Sequence, residues 1–341
     1  MKTLLKVSVA LFCAFTLLIC AFPITGSAMT IYSGDFGFEV DGYIGTASLV
    51  DYKGTNKHVT IPESFGNYPV VKISKSAFKN NTEVEEVEIG SNINKIENEA
   101  FSGCIALKTI TIPKTVIEIG RGVFHGCTSL KSAVVNAPVS YLPDNTFGEC
   151  PSLTDVYLSD SITEIGSSSF AKCTSLKDLS FLNKVDRIGE SAFFGNGFND
   201  IEIPSNIESL PYYAFAYSDT LNNVTIPATV TYIDTYAFSN SDNLVINCYT
   251  NSYAHSYAVE NKIPYVLLDG PKTGDVNGDG VVDILDATEI QKYAAESTDF
   301  TPEQFELGDI NKDGYCDVID ALLVQKSVIG AYELPQNIIR Y

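Results

Sequence analysis

Two acidic loops near the C-terminus hold the residues best suited to chemistry: Asp275-Val-Asn-Gly-Asp-Gly-Val-Val-Asp-Ile-Leu-Asp286 and, 34 residues later, Asp309-Ile-Asn-Lys-Asp-Gly-Tyr-Cys-Asp-Val-Ile-Asp320. Loop positions 1, 3, 5, 9 and 12 bear side-chain oxygens, namely Asp275, Asn277, Asp279, Asp283 and Asp286, then Asp309, Asn311, Asp313, Asp317 and Asp320. Such a density of hard oxygen donors suits calcium. Position 6 is Gly280 or Gly314, where the sharp turn needs a positive φ. Position 7, Val281 or Tyr315, would offer only its backbone carbonyl, which leaves its side chain free to differ between copies. Two loops in register predict two calcium ions.

These loops need elements to hold them. A helix is expected after each, over Ala287 to Ala295 and Ala321 to Ile329, from the apolar spacing of Ile290 and Ala294 and of Leu322, Val324 and Val328. The first loop follows Gly270-Pro271-Lys272-Thr273-Gly274, which cannot be helical, so the entering helix of an ordinary EF-hand is missing, and position 12 is Asp in place of Glu. This loop-helix plan, with Gln291-Lys292 repeated as Gln325-Lys326, resembles a dockerin module of type I character from Gly274 to about Pro335. The resemblance implies a calcium-dependent plug for a cohesin module of a scaffoldin. It also implies contacts through loop positions 10 and 11 (Ile284, Leu285, Val318, Ile319), with Gln291, Lys292, Gln325 and Lys326 behind them. Apolar pairs at these positions depart from the Ser/Thr type of the best-known dockerins, and packing of the four inside the module is the alternative.

At the other end, Lys2 and Lys6 precede an apolar run from Val7 to Phe22 and a small-residue ending at Ala28. This pattern is that of a secretory signal peptide over residues 1–28, too short for a bilayer span. The protein is therefore expected to be secreted and extracellular, associated with a cellulosome or cell surface, with no membrane insertion. Its formal charge of -20 disfavours nucleic acid as a partner.

The middle of the chain repeats. Phe78, Phe101, Phe124, Phe147, Phe170, Phe193, Phe215 and Phe238 recur every 23 residues, with one step of 22. The fullest copy places Ile96, Ala100, Phe101, Cys104, Leu107, Ile110, Ile112, Pro113, Val116 and Ile119 in fixed phase. Each turn should open with a short strand whose Ile110 and Ile112 point inward and whose Thr109 and Thr111 point outward, ended by Pro113. Ordering 23 residues costs more than about six buried apolar side chains return, so one copy cannot fold alone and a stacked solenoid with a parallel sheet on one face follows. The pattern resembles BspA-like bacterial leucine-rich repeats. The segment from Phe36 to Val50 looks like a β-hairpin cap, and Asn251 to Ala258 with Ile263 to Leu267 looks like a closing helix and strand.

Domain boundaries follow: an N-terminal cap at 29–57, the solenoid with its C-terminal cap at 58–268, a linker at 269–274, the dockerin-like module at 275–335 and a tail at 336–341. The fold class is an α/β leucine-rich repeat solenoid followed by a small α-helical module with two EF-hand-like calcium loops.

Cys104, Cys127, Cys150 and Cys173 form one column, three residues after each Phe, and are expected to be free thiols, because parallel side chains one ladder step apart sit too far apart for a disulfide. Asn81, Asn196, Ser218 and Ser241 fill the same column elsewhere. His58, His125 and His255 have no ligand-spaced partners, and no nucleophile, zinc-hydrolase or phosphate-loop motif is present, so catalysis is not expected. Outward strand positions read Glu86, Thr109, Ser132, Asp155, Asp178, Asp200, Asn223 in one column and Glu88, Thr111, Val134, Tyr157, Ser180, Glu202, Thr225 in the next. They form either a solvated face or a protein-binding one. Tyr212, Tyr213, Tyr217, Tyr232 and Tyr236 either pack at the core and its edges or stack on sugars. The expected function is non-catalytic: a cohesin-bound tether carrying a repeat domain for an unidentified protein or glycan ligand, with a part in polysaccharide breakdown through the complex. A displayed adhesin, or an unrecognised hydrolase, is the alternative.

Overall fold

The computed structural model describes residues 29–335; the signal-peptide and tail assignments fall outside them. Of the described residues, those up to Gly197 together with Tyr213–Tyr217 form one compact unit, and Phe198–Tyr212 with the residues from Ser218 onward form the other.

In the first unit, Ile31–Ser33 pairs antiparallel with Phe36–Asp41, which forms a hairpin with Thr46–Tyr52, as the alternation from Phe36 implied, and Thr46–Tyr52 passes the sheet on in parallel to Tyr68–Ile73, Lys95–Ile96 and Glu118–Ile119. A second parallel sheet runs through His58–Thr60, Glu86–Glu88, Thr109–Ile112, Ser132–Val135 and Asp155–Leu158. Its register pairs Thr109 with Ser132 and Ser132 with Asp155, so one sequence period equals one ladder step. Ile110 and Ile112 are buried between exposed Thr109 and Thr111. Parallel strands thus line two sides of these turns rather than one.

The third side is a ladder without a strand or helix. The N–H of Phe101 donates to the carbonyl of Val123, that of Phe124 to Thr146 and that of Phe147 to Ser169, at 2.8–2.9 Å. Left-handed residues flank the Phe in each of these turns, for example Glu99 and Gly103, Gly122 and Gly126, Asn145 and Glu149. Alternation of this kind blocks helix propagation while aiming N–H groups at the neighbouring turn. Inside, the rings of Tyr52, Phe78, Phe101, Phe124, Phe147, Phe170, Phe193 and Phe215 stack in sequence with centroids 4.8–5.7 Å apart.

The cysteine column has a packing role. Each thiol donates to the carbonyl of the Phe one turn back: Cys104 to Phe78, Cys127 to Phe101, Cys150 to Phe124 and Cys173 to Phe147, at 3.1–3.2 Å. Asn196 repeats the contact on Phe170 through its amide, which explains why Asn can share the column. All six described cysteines are buried and free. Burial pushes the Cys104 and Cys173 thiols up to about 12, so thiolate is scarce at neutral pH.

One expected strand is absent. Asp178 and Ser180 were placed by period on the outward columns, yet Ser180–Lys184 forms a 3₁₀ turn. The Asp178 carboxylate accepts the Ser180 N–H at 2.8 Å, a local bond that removes this donor from the ladder, and Phe181 turns into the core against Phe170. Leu182 also stands at the phase held by Pro113, Pro204 and Pro227 in three other copies.

In the second unit, Asp200–Glu202, Asn223–Thr225, Val245–Cys248 and Tyr265–Leu267 form a parallel sheet, and Ser209–Leu210 pairs with Tyr232–Ile233. Helix α1 (Tyr253–Asn261) closes the repeats; Ser252 caps it by accepting the His255 N–H. Helices α2 (Ile284–Ala294), α3 (Pro302–Gly308) and α4 (Val318–Val328) follow.

Phe147→Ala is expected to cost about 3–5 kcal/mol, the usual toll of emptying a sealed aromatic site, read as a lower denaturation midpoint; parent-like stability would refute the ring column's role. Iodoacetamide should label the six described thiols after unfolding without reductant and almost none of them before.

Candidate calcium loops and docking face

Both loops fold around their own carboxylates. In the first, Asp275 accepts the N–H groups of Gly278 and Gly280, Asn277 that of Asp279, Asp279 that of Val281, and Asp286 those of Asn277 and Asp283, at 2.8–3.1 Å. The second repeats the scheme: Asp309 accepts from Asp313 and Gly314, Asn311 from Asp313, Asp313 from Tyr315, and Asp320 from Ile310, Asn311 and Asp317. Gly280 and Gly314 take φ of 84° and 88°, as position 6 requires.

The following helices start three residues earlier than the apolar pattern indicated. Asp283 caps α2, its side chain accepting the Leu285 N–H, while Asp286 at the third helical position reaches back to the Asp283 N–H; Asp317 and Asp320 do the same for α4. Positions 9 and 12 are thus a capping box as well as part of a donor set. A shorter side chain at position 12 lets Asp fill both tasks.

Asp286 and Asp320 are fully buried, and Asp275 and Asp309 nearly so. Burial raises the Asp286 carboxyl above the ordinary aspartate range, and repulsion from Asp275 and Asp279 adds to this against the pull of two backbone N–H groups. Among the described residues none of the eight loop aspartates forms an ion pair with a basic side chain. The nearest lysines are spent elsewhere, Lys272 on the Gly280 carbonyl and Lys312 on the Glu306 carbonyl. Among the described residues no three His, Cys, Asp or Glu side chains are drawn together tightly enough to enclose an ion. The fit to a hard cation therefore rests on donor chemistry and on negative charge that no side chain compensates, and on both counts the residues suit calcium.

Between the two halves, Val276 and Ile310 from loop position 2 and Cys316 from position 8 join Ala287, Ile290, Leu307, Ala321 and Val324 in one small core, with α2 packed on α4. Helix α3, which the loop-helix expectation lacked before the second loop, supplies Leu307. Its start was legible in Thr301-Pro302-Glu303-Gln304, where Thr301 and Gln304 form a capping box with Pro at the first helical position. Gln304 also donates to the Val276 carbonyl at 2.9 Å, tying the second half to the first loop.

The candidate docking residues lie on the surface. Ile284, Leu285, Val318 and Ile319 are 52%, 57%, 60% and 51% exposed, so the alternative that they pack inside the module is set aside. Gln291, Lys292 and Lys326 are exposed and Gln325 is half-buried. Sequence reasoning passed over the outward exposure of Leu322 and Ile329, which extend the apolar surface on the second half alone.

A family model for the BspA type leucine rich repeat region matches six copies across residues 71–197 and 140–261, more than half of the chain. The chain belongs to the BspA-type leucine-rich repeat family. Residues 273–329 match the dockerin type I domain, a calcium-binding module type. Both are non-catalytic module types. Among solved structures the repeat region is similar to a leucine-rich repeat protein from Bacteroides ovatus (21% identity, 64% of this chain and 70% of that one, TM-score 0.44). It is also similar to a leucine rich cell surface protein from Faecalibacterium prausnitzii (21%, 69% and 98%, 0.35) and to the T. pallidum leucine rich repeat protein (20%, 60% and 86%, 0.38). No curated protein gives a significant match.

Chelation with EDTA should abolish the helical circular dichroism of the dockerin region and expose it to protease while the repeat sheets persist; an unchanged spectrum would contradict the loop assignment. Asp317→Ala should lower the module's melting midpoint, since losing an N-cap alone costs about 1 kcal/mol.

Proposed function

We propose that this chain is a secreted, non-catalytic component of a cellulosome-type assembly, in which the dockerin module holds two calcium ions and binds a scaffoldin cohesin, tethering a leucine-rich repeat domain that binds protein or glycan. In this scheme residues 1–28 are a signal peptide, 29–57 the cap, 58–268 the solenoid, 269–274 the linker and 275–335 the dockerin. Asp275, Asn277, Asp279, Val281 (backbone), Asp283 and Asp286 hold one ion, and Asp309, Asn311, Asp313, Tyr315 (backbone), Asp317 and Asp320 the other. The chain takes part in polysaccharide breakdown through the enzymes gathered beside it. Among the described residues no helix is long and apolar enough to cross a membrane.

One observation carries this proposal: the same two loop positions, in both copies, present bare apolar side chains at the start of a carboxylate-capped helix. An isolated small module keeps four large apolar side chains in water only at a cost, and such patches mark partner surfaces. The flanking polar residues suit an interface rim.

Capture of the full chain on immobilised cohesin modules, with calcium and with EDTA, tests it. Binding should need calcium. If the two halves dock interchangeably, Ile284→Ala with Leu285→Ala should leave affinity within about threefold, whereas adding Val318→Ala and Ile319→Ala should reduce it by about a hundredfold or more. Failure of a broad cohesin panel to bind the calcium-loaded chain would overturn the assignment.

A further inference from the structure

Between Arg187 and Lys262 the chain contains no lysine or arginine, yet it holds eight of the 19 tyrosines. In the second compact unit four of these form one connected surface group. Tyr212 meets Tyr236 edge to face at 5.7 Å, and Tyr232 meets Tyr253 at 6.2 Å. Asp234 joins the two pairs: one carboxylate oxygen accepts the Tyr232 hydroxyl at 3.2 Å and the other accepts the Tyr236 N–H at 2.9 Å. All four rings are exposed, at 40%, 52%, 48% and 41% for Tyr212, Tyr236, Tyr232 and Tyr253. Core packing is therefore not their role. Tyr257, in contrast, is buried with its hydroxyl on the Thr235 carbonyl and supports the group from beneath.

Of the equivalent strand positions in earlier turns, Tyr141 also carries a ring, its hydroxyl donating to Asp144, and it stands alone between Glu118 and Glu164. Lys95 pairs with Glu118, and Arg187 with Glu164, in cross-strand ion pairs that fill the wall with compensated charge. Where Tyr232 stands, no such pair is needed for the ladder, since Ser209 opposite it is small.

Their chemistry selects a ligand. A pyranose offers a face of C–H groups that packs on an aromatic ring and an edge of hydroxyls that donate to carboxylates; tyrosine suits such half-apolar, half-wet contacts. With no basic residue in the segment, an anionic glycan, nucleic acid or acidic lipid headgroup would meet only repulsion or neutral surface. We propose that Tyr212, Tyr232, Tyr236 and Tyr253, with Asp234 between them, form a binding platform for a neutral polysaccharide chain. This assigns a ligand to the repeat domain and rests on the proposed function for its setting.

The test uses the full chain in affinity electrophoresis and calorimetry against soluble neutral mixed-linkage β-glucan and xylan, with polygalacturonate as the anionic comparison. Retardation by a neutral glycan and none by polygalacturonate is expected. Tyr232→Ala with Tyr236→Ala should weaken binding by about tenfold or more, while Tyr232→Phe with Tyr236→Phe, which keeps the rings, should stay within about threefold of the parent. Thermal midpoints confirm that each variant folds. No binding to any neutral glycan, equal loss in the Ala and Phe pairs, or binding only to a protein ligand would overturn the proposal. Cohesin capture of the same samples is read in parallel, so loss of the platform and failure of the tether are told apart.

Discussion

The N–H groups of the strands and of the phenylalanine ladder find their carbonyls in the neighbouring turn, while those between them close local turns, as Leu107 does on Cys104 and Val116 on Pro113. That pairing between turns, made on three sides by two short parallel ladders and one ladder of left-handed turns, dictates the rest. The phenylalanine spacing is held at 23 with one step of 22, between Phe193 and Phe215, while the strand ladders also take a 22-residue step from Asn223 to Val245 and absorb a longer turn of 28 residues from His58 to Glu86. With the spacing fixed, side chains at equal phase are forced into columns, and a column accepts only residues that tolerate their own copies as neighbours. Phenylalanine does so by stacking. Cysteine does so by donating to the carbonyl one turn back, a small and weak bond that leaves no charge in the core.

The dockerin region solves the opposite problem. It has few residues to bury, and its core is one cluster in which loop residues Val276, Ile310 and Cys316 take part. Carboxylates that suit calcium also cap the helices that line this core, so electrostatics and packing cannot be separated there. An exposed apolar pair at each helix start is the complement: the same geometry that turns Asp286 and Asp320 inward turns Ile284, Leu285, Val318 and Ile319 out.

Much of this was legible in the residues because repetition amplifies weak signals. One Leu-x-x-Ile-x-Ile is ambiguous, whereas eight phenylalanines in phase are not, and the observed pairing of Thr109, Ser132 and Asp155 follows the count. The turns of the two acidic loops were legible residue by residue, since each Asp, Asn and Gly stands at a fixed position and bends the backbone there. Legibility failed where a local bond competed with the pattern. Asp178 captured the Ser180 N–H and replaced a strand with a 3₁₀ turn, and the helix starts hid inside the loops because a capping box uses the same aspartates as the metal pattern. Helix α3 was missed for a different reason, the expectation of a loop-helix plan, although Thr301-Pro302 announced it. Exposure of Tyr232 and Tyr236 could not be read at all, because a tyrosine at a given phase packs or projects according to the turn beside it.

The segment joining the repeats to the dockerin is tied at both ends. Asp269 accepts the N–H and hydroxyl of Thr250, next to the closing strand, and the Gly274 N–H donates to the Leu307 carbonyl inside the dockerin. Gly270, Pro271, Lys272 and Thr273 remain, a span of about 14 Å when fully drawn out. Tension placed on the dockerin region would thus meet little slack and load Tyr265–Leu267, the strand whose rungs to Val245–Cys248 fasten this end of the stack.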